Sequence, residues 1–169
     1  MILIFDATPL IYLAKIGKLH LLQKINTERI IPNSIFEEVV IKSKKLGKPD
    51  AIVVDRLVES GVFRIENVER TGFYEKIKEN RNLSEGDVEV IALAKMKDGI
   101  AVIDEDYARK VAEVEGVKCR GTIYLIFLLL NNGIIQKREA REMLDAIIGE
   151  GWYCSTDLYA KILKRIEAK

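Results

Sequence analysis

A parallel α/β fold, with helices packed on a central sheet, is the architecture this sequence predicts, and three observations carry it. Met1-Ile-Leu-Ile-Phe5 and Gly99-Ile-Ala-Val-Ile103 are continuous apolar runs of strand length, the pattern of strands buried on both faces, which belong to parallel sheets covered by helices. Strand-like and helix-like segments alternate along the chain, which favours α/β over an all-helical or all-β arrangement. Each of the two runs ends abruptly on an acid, Asp6 and Asp104. Ligands of open α/β sheets sit beyond the carboxyl ends of the strands, so the pattern that predicts the fold also predicts a site.

The elements follow in order. The first strand spans about Ile2 to Phe5. Thr8 offers a capping hydroxyl and Pro9 a ring whose missing N–H is not needed at a helix start, and Leu10 to Ile16 continue that helix to Gly17. Lys18 to Ile25 adds a short helix, and Arg29 to Ile31 reads as strand two. Pro32 with Asn33 or Ser34 opens a helix through about Lys42, and Lys42 to Pro49 reads as a basic loop. Asp50 to Ser60 has helical periodicity through Ile52, Val53, Leu57 and Val58 with Gly61 as its stop, and Phe63 to Ile65 is a further strand. Thr71 to Lys78 carries a weaker helical pattern. The segment Asn82 to Ala94 starts a strongly apolar helix reaching about Lys97, expected at the centre of the fold. Strand Ile100 to Ile103, a helix from about Asp106 to Glu115 and a short strand Val117 to Cys119 come next, and Gly121-Thr122 leads into the apolar helix Ile123 to Leu130. Helices at roughly Lys137 to Ile148 and Ser155 to Ile166 finish the chain. With no repeat, low-complexity tract or linker, residues 1–169 are expected to form one domain, a core over about 1–132 and a helical extension over about 133–169.

Composition narrows the function classes. A chain of 169 residues that is 49% hydrophobic and 31% charged reads as a soluble domain able to bury a substantial core. A formal net charge of +1 gives no global attraction for polyanions, so a nucleic-acid partner needs a local basic patch, and none stands out in the sequence. Cys119 and Cys154, the only cysteines, suggest neither a zinc site nor a disulfide framework and fit a reducing cytoplasm. The amino terminus meets an acid at Asp6 too soon for a signal peptide. Ile123 to Leu130 is far shorter than the roughly 20 apolar residues a membrane span needs. His20, the only histidine, reads as a structural or surface residue rather than a base.

Four acids remain as candidates for chemistry, each with an ordinary structural alternative. Asp6 and Asp104 suit turns after strands. Asp87 stands three residues after Ser84 in a capping pattern, yet Val90, Ile91 and Ala94 put it at the top of an apolar stripe, where an unpaired carboxylate is rare. Glu37 and Glu38 flank the stripe of Ile35, Phe36, Val39 and Val40 about equally, so periodicity does not choose between them. Together these acids make a stronger case than any one alone, because clustered carboxylates repel and raise one another's pKa unless a divalent cation neutralises them. Oxygen ligands without a nearby histidine or thiolate suit Mg²⁺ or Mn²⁺, ions that activate water and stabilise charge on a phosphodiester.

The residues that carry a family resemblance are Asp6-Ala-Thr8-Pro9-Leu10-Ile11; Ile31-Pro32-Asn-Ser-Ile-Phe-Glu-Glu38-Val39; Leu83-Ser-Glu-Gly-Asp87-Val-Glu-Val-Ile-Ala-Leu-Ala94; Val102-Ile-Asp104-Glu-Asp-Tyr-Ala-Arg109-Lys-Val-Ala112; and Gly121-Thr122. In order and spacing, over about Met1 to Leu130, they resemble the PIN domain, including the VapC-type toxin ribonucleases. The tail from Gly151 to Lys164 is similar to that of longer bacterial and archaeal PIN-like proteins. The resemblance implies a three-layer α/β/α fold, endoribonuclease activity with Mg²⁺ or Mn²⁺, and often a small antitoxin partner and a homodimer. Carried over by position, Asp6, Glu38, Asp87 and Asp104 are the catalytic acids, with Asp6, Asp87 and Asp104 on the metal. Thr8 matches a small hydroxyl near the metal, and Glu105 or Asp106 competes with Asp104 for the fourth position. RNA would need cations near this cleft. Arg109, Lys110 and Lys45 are the candidates, with Lys42, Lys44 and Lys48 in the same loop as Lys45.

Two other readings stand beside the ribonuclease. One is a PIN-like interaction or RNA-binding module without turnover. The other is a different α/β phosphate enzyme, but a haloacid-dehalogenase-type phosphatase wants a second Asp two residues after its strand-end Asp, and here that position is Thr8.

Overall fold

The computed structural model describes all residues from Met1 to Lys169. Strands β1 (Ile2–Phe5), β2 (Glu28–Pro32), β3 (Arg64–Glu66), β4 (Ile100–Val102) and β5 (Lys118–Arg120) form one sheet in the order β3-β2-β1-β4-β5. Every pairing is parallel. Leu3, Ile4 and Phe5 are fully buried, as the unbroken apolar run requires of a central strand covered on both faces. The chain steps from β1 to β2 and β3 in one direction, then crosses back to β4 and β5 in the other. Right-handed crossovers therefore put the helices of the two halves on opposite faces, giving a three-layer α/β/α fold. The switch of direction falls between β1 and β4, and the crevice beyond their carboxyl ends is where such sheets bind ligands.

On the first side lie α1 (Ala7–Lys15), a 3-10 turn (Leu19–Lys24), α2 (Asn33–Phe36), α3 (Ser43–Lys45) and α4 (Pro49–Glu59). On the second lie α5 (Gly72–Lys78), α6 (Glu85–Met96) and α7 (Asp106–Val114). Helix α6 lies across β2, β1 and β4 and buries Val90, Ile91, Leu93 and Ala94. Its start comes close to α2 because residue 86 is glycine: a Cβ there would sit 2.5 Å from Ile35 Cδ1. The chain ends in α8 (Thr122–Asn131), α9 (Lys137–Gly149) and α10 (Thr156–Glu167). Ile162 and Ile166 of α10 belong to the same apolar core as Leu3. No helix is long and apolar enough to cross a membrane.

Three local expectations change. Helix α1 begins at Ala7 with Asp6 as its N-cap, so Thr8 lies inside the first turn and caps nothing. Pro9 is tolerated there because first-turn N–H groups have no helical partner to lose. The short helix after Gly17 is 3-10 rather than α. The supposed basic loop is largely helical: α2 runs on through a π-helical stretch, Glu37–Lys42, into α3. Lys44 within this helix pairs with Asp55 of α4, and only Leu46 to Lys48 remain as the connection.

Candidate functional site

Parallel register brings the strand-end acids together. Phe5 pairs with Val102, and one residue further the N–H of Asp6 donates to Val102 O at 3.0 Å. Asp104 lies two residues beyond β4. The N–H of Ile103 donates to Arg120 O at 2.8 Å, so the chain leaving β5 runs past Asp104 at Gly121 and Thr122.

Asp6 is half-buried. Burial is the main reason its carboxyl rises from an ordinary 3.8 to about 7; the N–H of Ala7 pulls it down, and the charges of Asp87, Glu38 and Asp104 push it further up. Acids from three other segments thus act on Asp6, and the member of the glutamate pair among them is Glu38. Glu37 instead accepts from Asn33 Nδ2 at 3.2 Å.

Asp87 completes the cap of α6. Its Oδ2 accepts from the N–H and the hydroxyl of Ser84, both at 2.8 Å, and its own N–H donates to Ser84 Oγ at 3.0 Å. This capping box occupies one carboxylate oxygen of a buried side chain and leaves the other without a protein donor.

Asp104 is held by the chain beyond it. Its Oδ1 accepts from the Thr122 N–H at 2.7 Å, and its Oδ2 accepts from the Thr122 hydroxyl at 2.6 Å and from Trp152 Nε1 at 3.2 Å. Residue 121 has to be small here, since a Cβ on Gly121 would lie 2.7 Å from Asp104 Oδ1. Neither the Thr122 role nor the Trp152 role was derived from the sequence. The signals available were the Gly121-Thr122 pair and a lone tryptophan after a glycine in the tail. A further unforeseen link is Glu89, which accepts from the Ser34 N–H at 3.2 Å and its hydroxyl at 2.5 Å and so ties the start of α2 to α6.

The remaining candidates are placed as follows. Glu105 is the N-cap of α7, accepting from the N–H groups of Tyr107 at 3.0 Å and Ala108 at 2.6 Å, and Asp106 is exposed in the first turn of that helix. Neither is among the charges acting on Asp6. Thr8 is half-buried two residues past Asp6. Arg109 lines the same cavity as Asp104, while Lys110 and Lys45 are exposed on α7 and α3.

None of Asp6, Glu38, Asp87 and Asp104 is in an ion pair. No three acidic, histidine or cysteine side chains close into a ready-made ligand shell. The donor set nonetheless fits a hard divalent cation: it is oxygen-only and lacks an ion-paired cation, and Mg²⁺ is usually held by one or two carboxylates while keeping several waters.

A family model described as a PIN domain matches residues 2–168, so the helices beyond Gly133 lie inside the matched span. No curated protein matches the chain.

Proposed function

The chain belongs to the PIN domain family, whose fold is of the nuclease type, and from that premise we propose that it is a metal-dependent endoribonuclease hydrolysing RNA phosphodiesters. The observation that carries this reading is Asp6: a strand-end carboxyl at the topological switch point, raised to about 7 by burial and by three further acids. A fold accepts such an arrangement when a cation is to occupy it.

In this reading Asp6, Asp87 and Asp104 hold Mg²⁺ or Mn²⁺, and Glu38 adds charge at the exposed rim. When bound, the ion supplies Lewis acidity toward the phosphodiester and a lowered pKa for attacking water, so no protein nucleophile is needed. The chain's own contribution is orientation. Ser84 fixes the Asp87 carboxylate, Thr122 and Trp152 fix that of Asp104, and the fully buried base of β1 fixes Asp6. Arg109, which lines the same cavity as Asp104, and Thr8, half-buried two residues past Asp6, are in this reading the contacts to substrate phosphate. The toxin role, a small antitoxin partner and a homodimer extend the proposal by resemblance, as does a single domain whose extension begins near residue 133.

The test is incubation of the purified protein with single-stranded and structured RNAs and Mg²⁺ or Mn²⁺, beside EDTA controls and the Asp6→Asn and Asp104→Asn variants. Cleavage by the unaltered protein alone, and only with metal, supports the proposal; equal cleavage by the variants identifies a contaminating nuclease. A silent RNA-binding module is the second reading, favoured by the engagement of both Asp104 oxygens. Retention of RNA without cleavage under any metal selects it.

A further inference from the structure

Beside Asp104 a cavity of about 500 Å³ opens between the start of α8 and α10. Its walls carry Arg109, Arg120, Lys161 and Arg165, together with Tyr124 and Trp152. The three guanidinium groups have no carboxylate partner within ion-pair distance. Arg120 lies over the Tyr124 ring at 5.9 Å and Arg165 over Phe127 at 4.3 Å. In a chain of net charge +1 this gathering does not follow from general basicity; Lys161 pairs with Asp157 at 2.7 Å and Asp104 lines one side, and the three unpaired arginines still outnumber that one carboxylate, so a further anion is favoured. Guanidinium groups beside aromatic faces suit a phosphate attached to a planar base. The volume falls in the range of small-ligand pockets. Trp152 belongs to the pocket and donates to Asp104 at 3.2 Å, so an occupant would lie next to the acid cluster.

We propose that this pocket is a nucleotide subsite, taking one unstacked nucleotide of single-stranded RNA adjacent to the phosphodiester at the acids. Arg120 and Arg165 hold its phosphate and Tyr124 offers its ring to the base. The subsite rests on the ribonuclease reading for its substrate, but its binding is measurable without turnover. A duplex keeps its bases stacked and would not fill the pocket.

The test is fluorescence polarisation of a short fluorescein-labelled oligouridine strand with the full chain in EDTA. Arg120→Gln/Arg165→Gln removes two exposed charges and is expected to weaken binding about tenfold and to flatten the salt dependence by about one in slope. Lys18→Gln/Lys24→Gln removes equal charge at the 3-10 turn that leads into β2, outside the lining of the pocket, and is expected to change binding less than about twofold. Tyr124→Leu leaves the charges in place and is expected to weaken binding several-fold at unchanged salt slope. Matching thermal melts confirm that the variants fold. Equal weakening by both charge pairs, unaltered binding in the pocket variants, or no binding by the unaltered chain overturns the subsite. Cleavage assays on the same preparations separate the two proposals. Pocket-dependent binding without metal-dependent cleavage sinks the ribonuclease and leaves the subsite, whereas cleavage with binding indifferent to the pocket sinks the subsite alone.

Discussion

Replacing Asp6 by Asn removes one ionisable group while nearly preserving its shape, and its effect on stability has a sign that depends on pH. The folded chain raises this carboxyl from 3.8 to about 7, so between those values the folded state holds more protons than the unfolded state. Stability from this group is therefore full below about pH 4, falls through the window, and is lost above about pH 7. A shift of about three units corresponds to about 4 kcal/mol, and screening at the half-open carboxyl end of the central strand reduces this to about 2–4 kcal/mol. Urea unfolding in EDTA at pH 5 and pH 8 reads the difference directly. Relative to the unaltered protein, Asp6→Asn is expected to be more stable at pH 8 by about 2–4 kcal/mol, roughly 5–15 °C in Tm for a chain this size, and to lose most of that advantage at pH 5. A variant equally destabilised at both pH values would refute the reasoning, because it would mean that the Asp6 carboxylate carries no electrostatic strain.

Thr122→Val deletes a fully buried hydroxyl that donates to Asp104 at 2.6 Å; a charge-assisted bond of this kind is worth about 1.5–3 kcal/mol, and chemical denaturation should show that loss together with at least about tenfold slower RNA cleavage. Gly121→Ala is expected to push the Asp104 carboxylate out of place, since the new Cβ would stand 2.7 Å from it; cleavage should fall while Mn²⁺ affinity, read by calorimetry, weakens. Glu105→Ala removes the cap of α7 and is expected to cost about 1 kcal/mol in thermal melts with cleavage rate retained, which would separate it from Asp104.

Most of the fold was legible because it is written in short-range pattern. The unbroken apolar runs at β1 and β4 report burial on both faces, and the Ser84–Asp87 spacing reports a helix start. Asp6 and Asp104 needed only parallel pairing to come together. The choice between Glu37 and Glu38 was not legible, because the two flank the apolar stripe of their helix about equally and both are exposed. The donors to Asp104 come from Thr122 and from Trp152, and no local pattern reports which distant side chain a carboxylate meets. For the same reason the sequence showed no basic patch. Arg109, Arg120, Lys161 and Arg165 lie on α7, on β5 and on α10, and only the docking of α10 over α8 gathers their charges around one hollow. Lys42, Lys44 and Lys45 looked like a basic loop because the lysine-rich run hides the helix that carries it.

The proposed function requires the acids beyond β1 and β4 to form one seat for a hard cation. Crystals grown with Mn²⁺ and measured at its absorption edge test this most directly. An anomalous peak is expected beyond the carboxyl ends of β1 and β4, within coordination distance of Asp6 and Asp87. A saturating Mn²⁺ soak that leaves this crevice without a peak, or places the ion only on unrelated surface acids, would contradict it.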